Sequence, residues 1–174
     1  MANVAQILSV IDCASILGNT SIPRGTIGNE TNLGSWAQSD AYIFMVGSGD
    51  YLASNQGKSE LNIGAHSGDV VQWTVTDPTS GQQYSPILYG FTAGQGGNAI
   101  SPPVMLSITL NVYQPQSTSQ PTGPFAAVAY QDYVWEATII APNTQIQYIW
   151  KFAILDQSGN VLGAYTWDPF ITIS

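Results

Sequence analysis

Gln145-Ile-Gln-Tyr-Ile-Trp-Lys-Phe-Ala-Ile-Leu-Asp156 decides the fold. Its large apolar residues Ile146, Tyr148, Trp150, Phe152 and Ile154 occupy every second position, while Gln145, Gln147 and Lys151 take alternate ones. Successive side chains of an extended strand point to opposite faces, so this segment buries one face and wets the other. A helix would instead need apolar residues spaced by three and four.

The same period of two recurs on either side. Val71, Trp73 and Val75 alternate with Gln72, Thr74 and Thr76; Ile108, Leu110 and Val112 alternate with Ser107, Thr109 and Asn111. Further strand-like runs cover 4–12, 41–46, 60–63, 87–91, 125–130, 133–140, 161–167 and 170–173. Gly, Pro, Asn and Asp punctuate them, and Asp156-Gln-Ser-Gly-Asn160 supplies a Gly for the positive φ of a hairpin turn. About ten short strands with no convincing helix predict a single all-β domain over residues 1–174. The expected architecture is an antiparallel β-sandwich, jelly-roll-like in type. Polar connections fall at 18–39, 47–58, 76–86, 92–103 and 114–124, the last a Pro-rich exposed loop rather than a linker.

The 174 residues include 3 Lys plus Arg against 11 Asp plus Glu, a net charge of −8, and only 8% of the chain is charged. An ordinary soluble domain is roughly 25% charged. With an ordinary apolar fraction of 44%, the deficit is filled by Ser, Thr, Asn, Gln and Gly. Arg24, Lys58 and Lys151 are too few and too scattered to track a phosphate backbone, which excludes nucleic acid as a partner. The same scarcity disfavours anionic membranes, and no apolar run approaches the ~18 residues of a membrane span. Residues 1–7 lack the basic n-region of a signal peptide, so the expected location is cytoplasmic; inclusion bodies and non-classical release are both compatible with it. Cys13 has no second cysteine to pair with and lies in the apolar run 7–16, as a buried structural cysteine does.

Catalytic chemistry finds little support. His66 sits in a Ser/Gly turn without a nucleophile elbow, and the sequence supplies no activating context for Cys13, such as a helix N-terminus or adjacent cation. Asp132 and Glu136 share a strand face but stand ~13 Å apart, beyond the ~5–9.5 Å of glycosidase pairs. Gly94-Gln-Gly-Gly-Asn-Ala99 mimics a dinucleotide fingerprint, yet Ile100-Ser-Pro-Pro103 follows where a helix must begin. No enzyme and no cofactor are expected. One His and one Cys argue against a transition-metal site, whereas Asp40, Asp50, Asp69, Asp77 and Asp168 border turns and leave open a Ca²⁺ site assembled from separate loops.

Aromatic content is the positive signal, at 11% of the chain. Trp73, Trp135 and Trp150 fall on alternating strands and read as core; Trp36, Tyr51, Tyr84, Tyr113 and Trp167 fall at strand ends or in loops. A sugar offers an apolar C–H face and a hydroxyl edge, so it needs an aromatic platform beside fixed hydrogen-bonding groups. Candidate carbohydrate-binding residues are Asp50 and Tyr51 with Asn55 and Gln56, Gln95 with Asn98, and Trp167 with Asp168.

Strand 4–12 ending in Ile11-Asp12, Asp40-Ala-Tyr-Ile-Phe-Met-Val46, Gly68-Asp-Val-Val-Gln-Trp73, Ile87-Leu-Tyr-Gly-Phe91, Ser101-Pro102 and Tyr165-Thr-Trp-Asp-Pro169 together resemble the bacterial PixA/AidA inclusion body protein family, in the same order over nearly the whole chain. The resemblance implies a non-enzymatic protein that accumulates in cytoplasmic inclusions, with at least one branch behaving like sugar-binding lectins. Inclusion members can be rich in Met, whereas this chain has three. The resulting expectation is a lectin for glycans with neutral sugars, such as fucose or another hexose, since a −8 protein repels sialylated or sulfated ones. The alternative is a self-assembling storage or structural protein with no small-molecule ligand. Homo-oligomerisation is expected in either case, because multivalency raises weak affinities and uncharged sheet faces pair with their copies.

Overall fold

Among the described residues, the twelve strands are β1 (Val4–Ile11), β2 (Thr31–Asn32), β3 (Ile43–Gly47), β4 (Leu52–Ser54), β5 (Asn62–Ala65), β6 (Val70–Thr76), β7 (Ser85–Ala93), β8 (Val104–Pro115), β9 (Phe125–Thr138), β10 (Thr144–Leu155), β11 (Val161–Trp167) and β12 (Phe170–Ile173). They belong to a computed structural model that describes residues 3–34, 36–119 and 121–174, with the side chains of Trp36 and Ala37 outside the description. One sheet runs β3-β1-β6-β9-β8; the other runs β2-β11-β10-β12-β5-β4, with β7 also paired to β10. The expected all-β sandwich is the fold observed.

The deciding segment is β10, at the centre of the second sheet. Ile146, Tyr148, Trp150, Phe152 and Ile154 are all fully buried on one face, as period two dictates. Opposite them, β1 buries Ala5, Ile7, Ser9 and Ile11, and β6 buries Val71 and Trp73. Between the sheets, Trp73, Phe91, Trp135, Tyr148 and Trp150 pack with ring centroids 5.1 to 6.0 Å apart, mostly edge to face. Such geometry sets the positive ring edge against the negative face of its neighbour. The Trp73 indole N–H donates to the Tyr148 hydroxyl at 3.1 Å, so that polar pair is satisfied inside the core.

Strand direction departs from the antiparallel expectation. β1 runs parallel to β6, β2 to β11 and β5 to β12. Alternation reports which face is wet, not which way the neighbour runs, so it could not reveal these crossovers. The runs 125–130 and 133–140 are one strand, β9, while β2 and β4 are too short to carry a period. Two short helices also form, α1 (Cys13–Gly18) and α2 (Trp36–Ser39). The Asp12 carboxylate caps α1, accepting from the Ser15 N–H at 3.0 Å and the Ser15 hydroxyl at 2.7 Å.

One mismatch of length shapes the surface. β8 and β9 pair without interruption from Val104 opposite Glu136 to Pro115 opposite Phe125, but β6 accompanies β9 only from Trp135 to Thr138. Past that point the hairpin leaves the sheet as an arm of roughly 30 Å. Of the connection expected as an exposed loop at 114–124, residues 114 and 115 end β8, residues 116–119 and 121–124 lie at the tip of the arm, and residue 120 lies outside the described residues.

Candidate functional site

The structure gathers the candidate binding residues into two groups and removes one. Trp167 is 1% exposed; its ring packs edge-on against Phe152 at 5.4 Å and its indole N–H points at the Met45 sulfur, 3.3 Å away. It lies two residues beyond buried Tyr165 on the same strand face, so it offers no platform to a ligand. Asp50 and Tyr51 share the turn at 49–51; Asp50 is exposed, while Tyr51 is half-buried against the core. Asn55 is exposed at φ 63°, and its amide donates to the Glu60 carbonyl at 3.1 Å. On a different connection, Gln95 and Asn98 lie in the exposed turn after β7. There the Gln95 carbonyl accepts the Gln147 N–H at 3.1 Å, and the Gln147 side chain donates to Asp168 at 2.7 Å. Desolvation pushes the Asp168 carboxyl above its usual range, partly countered by that bond. Gly96 between them adopts φ 73°, and a Cβ there would strike the Gln145 carbonyl. The Trp36 side chain lies outside the described residues, and Tyr84 is half-buried against the core.

Four of the five carboxylates considered for Ca²⁺, Asp40, Asp69, Asp77 and Asp168, have separate local partners, and Asp50 is exposed. Asp40 accepts from the Ser59 N–H at 2.8 Å and pairs with Lys58 at 3.1 Å; Asp69 closes the His66 turn, and Asp77 accepts from the Thr79 N–H at 2.7 Å. Among the described residues, no three His, Cys, Asp or Glu side chains gather closely enough to hold a metal ion. Cys13 is buried, and both desolvation and Asp77 push its thiol well above the usual range, which suppresses the nucleophilic thiolate. Glu136 is held by the Gln72 amide at 2.7 Å, across the strand pair rather than toward Asp132.

What the sequence reading missed is the outer face of the first sheet. A solvated sheet face normally carries polar residues. Here the outward positions include Val4 and Leu8 on β1 and Phe44 and Val46 on β3, with Leu8 directly opposite Val46. The stripe continues onto the arm through Leu106 and Val112 on β8 and Val128 and Tyr130 on β9. These eight side chains leave on the order of 600 Å² of apolar surface exposed, the upper end for a free monomer and close to the ~800 Å² each partner gives a standard interface. Where β9 parts from β6, Leu8 and Thr74 face Leu110, Val112 and Tyr130 across a groove of about 840 Å³. The arm's other face is mixed: Gln131 accepts from the Ser107 hydroxyl at 2.9 Å and donates to Thr109 at 3.0 Å, beside Tyr133 and the 71%-exposed Tyr113. One signal was available in the sequence, since runs spanning 125–140 cannot be matched along their length by a seven-residue β6.

The two edges of this sheet are treated differently. At β3 the Gln56 side chain imitates a strand, its carbonyl accepting the Gly47 N–H at 3.0 Å and its amide donating to the Gly47 carbonyl at 3.0 Å. Met45 is likewise bonded to Gly57 and Lys58 through the backbone. At the opposite end, the outer edge of β8 has no strand partner among the described residues.

These features define a β-sandwich whose distinctive surface is a sheet face with a long apolar stripe, broken by Gln72, Glu136 and Asp132 and continued by a projecting hairpin. The chain belongs to the PixA inclusion body protein family, whose model matches residues 3–173. It is similar in fold to the crystal structure of an inclusion body protein of that family from Burkholderia cenocepacia, with a TM-score of 0.75 and 18% identity over 99% of this chain and 97% of that one. No curated protein sequence matches the chain. No helix among the described residues is long and apolar enough to cross a membrane.

Proposed function

We propose that the protein assembles with copies of itself into ordered inclusions within the cell, as a storage or structural material. The observation that carries this reading is the apolar outer face of the first sheet, which a solitary domain would leave in water at a cost of ~25 cal/mol per Å². The family's inclusion-body character agrees with it. Low charge supports it further, because few ions must be stripped of water as copies approach. The paired substitutions Leu8→Lys and Val46→Lys place two cations at the centre of the face without touching the core. Cells making the parent chain are expected to contain inclusions that redissolve as native protein; cells making the double variant keep it in solution at unchanged melting temperature. Inclusions made only of misfolded chain, or equal assembly by the variant, would refute the proposal.

A second reading, binding of neutral sugars, rests on the half-buried Asp168 and Gln147 beside the exposed amides of Gln95 and Asn98. A carboxylate next to amides is the kind of group that holds sugar hydroxyls. A glycan array with and without Ca²⁺, repeated with Asp168→Asn, tests it; signal lost in the variant supports the reading, and silence from the parent chain removes it.

A further inference from the structure

We infer that the outer edge of β8 pairs with the β8 edge of a second copy, antiparallel about a two-fold axis, joining two five-stranded sheets into one of ten strands. This inference rests on the self-assembly reading and names the contact that begins it. An unpaired strand edge presents a row of backbone donors and acceptors, and natural proteins blunt such edges with brevity, charge, proline, bulges or a covering segment. The other edges follow that rule: β2 has two residues, β4 has three, β3 is covered by Gln56 and the chain around it, and β7, paired on one side to β10, carries Pro86 and a register break between Leu88 and Gly90. β8 breaks it at every point. It is twelve residues long, contains no charged residue, has its only proline at the last position, and keeps continuous register with β9.

The edge also specifies its partner. A two-fold axis places the same strand against itself in antiparallel sense, so each donor row meets an acceptor row of identical spacing. A neutral edge meets a neutral edge, although each molecule carries −8 overall. Pairing the arms would also align the two outer faces side by side, doubling the apolar surface available to the next layer.

Asn111→Lys tests the contact, since residue 111 is exposed and the substitution puts a like charge on both strands of the pair. Sedimentation velocity of the parent chain is expected to show a monomer–dimer equilibrium, weakened at least a hundredfold in the variant with an unchanged circular dichroism spectrum. Hydrogen exchange of the parent chain gives a readout that needs no variant: alternate β8 amides are expected to exchange at least tenfold more slowly in the dimer than in dilute monomer. Free exchange along β8 within a dimer overturns the edge contact, and so does a parent chain that forms native inclusions through β8-independent contacts, while the assembly reading survives. A chain that remains monomeric and forms no native inclusions overturns both.

Discussion

Tyr148 and Tyr165 are both fully buried, yet their hydroxyls are placed differently. Tyr148 accepts the Trp73 indole N–H, whereas the Tyr165 hydroxyl has no hydrogen-bond partner among the described residues. Tyr148→Phe strands a buried donor and is expected to lower stability by about 1–3 kcal/mol, while Tyr165→Phe removes an unpaired group and should lie within about 0.5 kcal/mol of the parent chain or above it. Urea unfolding distinguishes them, and equal losses would contradict the assignment. Glu30 supplies a pH-dependent case. The Tyr89 hydroxyl, donating at 2.6 Å, is the main influence that holds its carboxyl down to about 2, opposed by desolvation and helped by the Gly28 N–H and by Lys151 at 3.1 Å. Because the folded state favours the charged form, this stability is complete above the ordinary value near 4.5 and disappears as pH falls toward 2. The melting temperature of Glu30→Gln should therefore lie below the parent's at pH 5–7, and the gap should close below pH 4.5. Lys151 was legible only as the wet side of β10. Its partner is 121 positions away, and no local spacing announces such a pair. Trp167 was the reverse case, because its parity with Tyr165 was in the sequence and outweighs its place at a strand end.

Elements were legible where one face is buried and the other wet. β1, β6 and most of β10 are of this kind. The arm is not, because both of its faces meet solvent beyond Val134, and Gln131-Asp132 therefore looked like a break between two strands. In the folded chain Gln131 instead bridges Ser107 and Thr109 across the hairpin. The cap on β3 was equally hidden: Gln56 was considered as a ligand-binding amide, while its side chain serves as one residue of a missing strand. Gln56→Ala should free the Gly47 N–H and carbonyl, speed exchange of the Gly47 amide at least tenfold, and lower stability by about 1 kcal/mol. An unchanged exchange rate would mean that the neighbouring backbone bonds from Met45 to Gly57 and Lys58 close that edge unaided.

At the level of the whole molecule, the small charge still has a sign. A net −8 opposes the approach of like copies, and added salt shortens the reach of that repulsion from about 30 Å at 0.01 M to about 3 Å at 1 M. Assembly is therefore expected to strengthen severalfold between low salt and 0.5 M sodium chloride, and again as pH approaches the isoelectric point near 4.1; light scattering reads both. Dissolution by salt would instead point to ion pairs between copies. The parallel seam between β1 and β6 bears on how the molecule comes into being. Val4 must find Val70, so β1, made well before β6, waits for a long loop to close, whereas β8 with β9 and β10 with β11 meet across much shorter connections. Until β1 docks, its seat beside β6 stands vacant, and in a crowded cell the β1 strand of a neighbouring chain fits that seat equally well. Exchange of β1 between chains is thus the expected error of rapid synthesis, recognisable as dimers that survive dilution and come apart only on unfolding.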